Sequence, residues 1–160
     1  MTHTFLHTTP DDERSQSVLR DLEREYDGRY GSRFGEPASA EIHRYPPERF
    51  SAPDGTFLLL LEDGLAVSAG AFMRIDETTA EIKRVWTDAA HRGKGLARLV
   101  LAELEAEAAR RGYRTIVLST GPRQPEAVRL YLATSYTPLF DPSLDADEIV
   151  FHHFRKELVA

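Results

Sequence analysis

Apolar residues recur at every fourth place through Val18, Leu22 and Tyr26, with Leu19 beside them, and this spacing predicts an amphipathic helix over Asp11 to Tyr26. Pro10 and two aspartates mark its start. DGRYGSRFGEP, 27 to 37, reads as a loop, and EIHRYPPERF is ambiguous until Pro46-Pro47 breaks it. The period then changes. Thr56 to Leu61 is a short apolar run, Asp63-Gly64 a hairpin turn, Leu65 to Ile75 a second strand and Thr79 to Thr87 a third. Leu96, Val100, Leu104 and Ala108 form one stripe of a helix over Leu96 to Arg111, stopped by Gly112. Arg114 to Ser119 is a buried-type strand, Glu126 to Thr134 a shorter helix, and Tyr136 to Leu139 and Ile149 to Leu158 are closing strands. This order predicts an α/β domain whose early strands form a meander. Its 160 residues fit a single domain spanning 1–160.

Composition narrows the function classes. A net charge of −6 argues against a nucleic-acid partner, and no apolar run approaches membrane-spanning length. The absence of cysteine excludes disulfides, thiolate metal sites and a cysteine nucleophile. The N-terminus has no apolar leader, so the expectation is a soluble cytoplasmic protein. A homodimer is compatible with the sequence, which holds nothing that decides it.

The stretch most informative about chemistry is HRGKGLA, 91 to 97. It fails as a Walker loop because Asp88 and Gly95 occupy the places of the required Gly and Ser/Thr. It fails as a dinucleotide fingerprint because Arg98 takes the third small position. What remains is a loop that opens a helix, where free N–H groups and the helix dipole converge and two glycines let backbone meet an anion. Arg92 and Lys94 add charge. The same glycines would also serve merely to turn a corner.

The surrounding residues carry a resemblance. IKRVWTDAAHRGKGLARLVL resembles the acetyl-CoA signature of the GNAT superfamily of N-acetyltransferases, R/Q-x-x-G-x-G/A, with Arg92, Gly95 and Ala97 in its three places. TGPRQPEAVRLYLATSY resembles the second signature, N-x-x-A-x-x-L-Y-x-x-x-G-F/Y, matching at Ala127, Leu130, Tyr131 and Tyr136. FRKEL resembles the family's usual ending. The likeness is good over about 55–158 and loose over 1–50, where the family keeps its acceptor-side helices and loop. Two positions depart: Gln124 replaces the usual Asn and Ser135 the usual Gly.

The resemblance implies a GNAT fold, with a mixed central sheet, an antiparallel N-terminal meander and flanking helices. It also implies transfer of an acetyl group from acetyl-CoA, as co-substrate, to a primary amine by direct attack in a ternary complex, with no metal. It implies that Val85, Trp86 and Thr87 pair with the pantetheine arm. The amides of Arg92, Gly93, Lys94, Gly95, Leu96 and Ala97 would hold the pyrophosphate, and Gln124 would add a hydrogen bond. Tyr131 would stand near the thioester sulfur, where a phenol can protonate a departing thiolate. Glu81 is the candidate base, against a plain ion pair with Lys83. Lys83 and Arg84 would bind an acceptor carboxylate or be ordinary strand charges. Tyr26, Tyr30 and Phe34 are acceptor-side candidates. A small-molecule amine is the first expectation; a protein or peptide acceptor, or a non-catalytic acyl-CoA sensor, are the alternatives.

Overall fold

In the computed structural model, residues 2–31, 37–121, 123–141, 143–145, 149 and 151–158 are described. The chain runs β1 (His3–Thr8), α1 (Glu13–Tyr30), two 3-10 turns (Ala38–His43 and Pro47–Phe50), β2 (Thr56–Glu62), β3 (Leu65–Arg74), β4 (Thr79–Thr87), α2 (Leu96–Arg110), β5 (Thr115–Thr120), α3 (Pro125–Ala133), β6 (Thr137–Pro138) and β7 (His152–Glu157). All seven strands form one sheet in the order β1-β2-β3-β4-β5-β7-β6.

The meander over β2, β3 and β4 is antiparallel as expected, turning on Asp63 and Gly64, both at positive φ. Strand β1 was not legible: HTFLHT has only Phe5 and Leu6 as apolar residues, and it lies at the sheet edge against β2. Helix α1 overruns its expected end at Tyr26 and continues to Tyr30, through Gly28. A mid-helix glycine costs about 1 kcal/mol. That cost is offset where Arg29 meets Glu25 at 3.0 Å and Glu126 at 2.6 Å, and where Tyr30 buries against α3's leading loop. Gly31, with φ 54, is the true end.

Two apolar layers sandwich the sheet. Leu58, Leu60, Phe72, Ala80 and Ile82 pack on one face against Val100, Leu101 and Leu104 of α2 and Tyr131 of α3. Phe57, Leu59, Ala69, Ala71, Met73 and Trp86 pack on the other against Val18 and Leu22 of α1 and the buried Ile42 and Phe50 of the 3-10 turns.

The feature that positions the site is the join between β4 and β5. These strands are parallel and pair only at Thr79–Thr115, Ala80–Ile116 and Glu81–Val117. From Ile82 onward β4 has no strand partner on that side among the described residues. A bulge sits there: Ala69 faces Trp86 but Ala71 faces Lys83, so Arg84 and Val85 together oppose Gly70. Arg84 takes φ 63 to make it. A bulge bends a strand and shifts the alternation of its side chains, and here the strand opens away from β5 into a cleft.

Candidate active site

Two cavities meet at this cleft. One, of about 490 Å³, runs between β4, the α2 N-terminus and α3; the other, of about 350 Å³, lies on the α1 side. Tyr26, Lys83, Arg84, Ser119, Thr120 and Gln124 line both. The opening in the sheet is thus a passage between two chambers.

The larger chamber collects most of the expected cofactor residues. Val85, Trp86, Thr87, Arg92, Gly93, Gly95, Leu96 and Ala97 line it. Gly93 and Gly95 sit at φ 81 and 77, values an L side chain rarely adopts. Helix α2 begins at Gly95 with no side chain capping it, so its leading N–H groups and dipole address the chamber's mouth. Arg98 lines the wall and adds charge, a residue the signature did not single out. The Lys94 side chain is exposed and is not among the lining residues; the expectation there concerned its amide. Arg92 reaches back to the Thr87 carbonyl at 3.4 Å and to Glu25 of α1 at 3.4 Å. His91, which the sequence suggested as a surface group, bridges Asp88 at 2.8 Å and Glu62 at 2.9 Å and lines the same wall.

Trp86 is both core and wall. Its ring is buried, and its indole N–H donates to Asp21 of α1 at 2.7 Å, which holds that carboxyl below its ordinary value. Gln124 is partly committed as well. Its Oε1 accepts from the Tyr30 hydroxyl at 2.9 Å and from the Gly121 N–H at 3.2 Å, leaving the NH₂ for anything bound in the chambers. A Cβ on Gly121 would stand 2.3 Å from the Tyr30 oxygen, so only glycine admits this contact. Tyr30 therefore does not line the larger chamber; it braces α1 against the β5–α3 loop and walls the smaller one.

Tyr131 sits where its two readings merge. Its ring packs edge-on against Tyr136 at 5.7 Å and Phe154 at 5.3 Å. The residue lines the larger chamber, and its hydroxyl has no hydrogen-bond partner among the described residues. Burial, with nearby Tyr26 adding, pushes the phenol well above its ordinary value. It is held protonated, as an acid must be.

Glu81 lies elsewhere. It pairs within the sheet at the closed end of the β4–β5 join, its carboxylate is 3.3 Å from Lys83 Nζ, and it lines neither chamber. The ion pair with Lys83 is what the geometry realises. The bulge turns Lys83 and Arg84, sequence neighbours, toward one carboxylate, Glu41, at 3.1 and 3.5 Å. Glu41 on the first 3-10 turn carried no sequence signal, because its role appears only once that turn folds over β4. Tyr45, Arg44, Phe151 and His153 also line the smaller chamber, and the buried His152 faces the other way, as adjacent strand residues should. Phe34 lies outside the described residues.

Comparison with known proteins agrees with this geometry. Residues 16–135 match the model of the acetyltransferase (GNAT) family, and the chain belongs to that family. Over 80 residues it is 36% identical to the uncharacterized N-acetyltransferase YsnE of Bacillus subtilis, covering 50% of this chain and 53% of that one. The chain thus spans about half the length of this curated relative. Its fold is similar to that of a Klebsiella pneumoniae protein provisionally classed as an acyl-CoA N-acyltransferase, with TM-score 0.76, 26% identity and 99% of both chains covered. It is also similar to a GNAT acetyltransferase of Elizabethkingia anophelis solved with acetyl-CoA bound, with TM-score 0.63, 13% identity and 98% of both chains covered.

Proposed function

We propose that the protein moves an acetyl group from acetyl-CoA to the primary amine of a small molecule, with both partners bound at once. The observation that carries this is the pair of chambers joined through the split in the sheet, with the protonated phenol of Tyr131 in the wall of the larger one. The E. anophelis structure, which shares the fold and holds acetyl-CoA, supports the choice of donor.

The residues present fit that donor. The uncapped α2 N-terminus with Gly93 and Gly95 suits a pyrophosphate, and Arg92 and Arg98 supply the positive charge beside it. The β4 edge at Val85 to Thr87 offers main-chain groups to an extended arm, as an added strand would. When bound, acetyl-CoA supplies an activated thioester. The acceptor nitrogen would bond to the acetyl carbon as the carbon–sulfur bond breaks and would lose a proton to water; Tyr131 would give one proton to the departing thiolate and recover it from solvent. An alkylamine is only about one part in a few thousand neutral at pH 7. Shielding from solvent in the smaller chamber, next to the charges of Lys83 and Arg84, favours that neutral form. Glu81 acts from behind Lys83, fixing its ammonium.

Because the chain has no cysteine, a thiol-reactive dye reports released CoA without background. Acetyl-CoA with amino acids, polyamines, aminoglycosides and short peptides should release thiol with at least one small-molecule class. Release with peptides alone would replace the acceptor assignment. Silence with every acceptor, alongside measurable acetyl-CoA binding, would favour a sensor.

A further inference from the structure

Cations from two distant segments converge in the wall of the smaller chamber. Among its described lining residues are Arg44, Lys83 and Arg84, against the single carboxylate of Glu41. Glu81 stands behind Lys83, 3.3 Å from its ammonium. Two of the three are poorly hydrated: Arg84 is 4% exposed, and the Lys83 side chain 15%. A basic side chain desolvated this way needs an anion within reach. Burial by itself would lower the Lys83 ammonium, yet Glu81 and Glu41 together raise it, so it stays charged.

The bulge is what builds the pair. Without it, Lys83 and Arg84 would point to opposite faces; with Arg84 at φ 63 both reach Glu41. A non-glycine residue in that region costs about 1–2 kcal/mol, so the fold holds the two cations together against a backbone preference. Glu41, standing on a 3-10 turn and shared by Arg44, Lys83 and Arg84, marks where a carboxylate fits. Around it, Tyr26, Tyr30, Tyr45 and Phe151 supply flat apolar walls for a carbon skeleton. The volume of about 350 Å³ lies at the small end of ligand pockets. Lys83 and Arg84 also line the donor chamber, so a group held by them leaves its amine close to the join.

We propose that the acceptor is a small amine bearing a carboxylate, such as an α-amino acid, and that Lys83 and Arg84 are the residues that recognise the carboxylate. The proposal rests on the acetyl-transfer reading above. A basic polyamine or aminoglycoside would meet like charge here.

The test compares matched acceptors in the thiol-release assay: amino acids against their C-terminal amides, with spermidine as a cationic control. The expected result is that kcat/KM for the free acids exceeds that for the amides by at least about tenfold, the scale of a charge-assisted contact. In Lys83→Gln that ratio should fall toward one through KM of the acid, and Lys83→Arg should restore part of it; circular dichroism checks that both variants fold. In Glu41→Gln, where the internal competitor is gone, KM for the acids should fall. Amides or spermidine turned over as well as acids would overturn the proposal and leave the transferase reading standing, as would an unchanged ratio in Lys83→Gln. Thiol release from no acceptor at all would overturn both.

Discussion

Ser135 shows how much one residue can say. The family's second signature has glycine there, and the chain holds this serine at φ 75, exposed, immediately before the buried Tyr136. A side chain in the left-handed region is strained, whereas glycine enters it freely but gains entropy when unfolded. Ser135→Gly should therefore stabilise the fold by a net of about 0.5–1 kcal/mol, seen as a higher Tm in thermal denaturation. An unchanged or lower Tm would mean the strain is relieved locally. Here the sequence was readable because a motif position was filled by an unsuited residue. Arg84 is the opposite case: nothing in KRVW marks the one residue that turns over, since the bulge answers to the packing of β3 and α2, not to local composition. Spacing could not choose between the two readings of Glu81, base or partner of Lys83, because residue spacing along β4 does not reveal where the strand leaves the sheet.

The elements were legible in proportion to how strongly a single period ruled them. Strand β4 has the limits that alternation predicted, Thr79 to Thr87, and α2 differs from its expected end by one residue. Strand β1 escaped because its pairing with the deeply buried β2 holds it, not its own apolar content. Helix α1 is the element whose stability bears on the site, since it brings Tyr26, Tyr30 and Glu25 to the chambers. Asp12 caps it, accepting from the Arg14 N–H at 2.9 Å. The Arg14 guanidinium beside it holds its carboxyl at about 2, below the ordinary 3.8. A depressed carboxyl contributes its stabilisation in full above its unfolded value and loses it as pH falls toward the folded one. Asp12→Ala should lower stability by about 1 kcal/mol near neutrality. The gap in Tm from the parent should hold down to about pH 5 and close between about 4 and about 2, the interval its carboxyl spans. A gap that persists at the acid end would assign the cap's effect to something other than this charge.

At the scale of the whole molecule, the proposed activity rests on one departure from regularity. Two parallel strands pair at one end only, and the space they leave joins the larger chamber to the smaller. The cradle at the α2 mouth and the phenol of α3 were visible in the sequence as spaced motifs. The wall of the smaller chamber, with Glu41, Tyr45 and His153, was not, because it is assembled from distant segments with no shared pattern. The proposed function requires that this junction perform chemistry and not merely hold acetyl-CoA. Tyr131→Phe tests it most directly, because it removes one oxygen and keeps the ring's packing against Tyr136 and Phe154. The measurement is kcat by thiol release beside the acetyl-CoA Kd by calorimetry, on parent and variant. The account predicts a loss of about 10²-fold in kcat, the lower range for general acid catalysis, with Kd within about twofold because no phosphate-binding residue is touched. An unchanged kcat would contradict the assignment of Tyr131 as the acid.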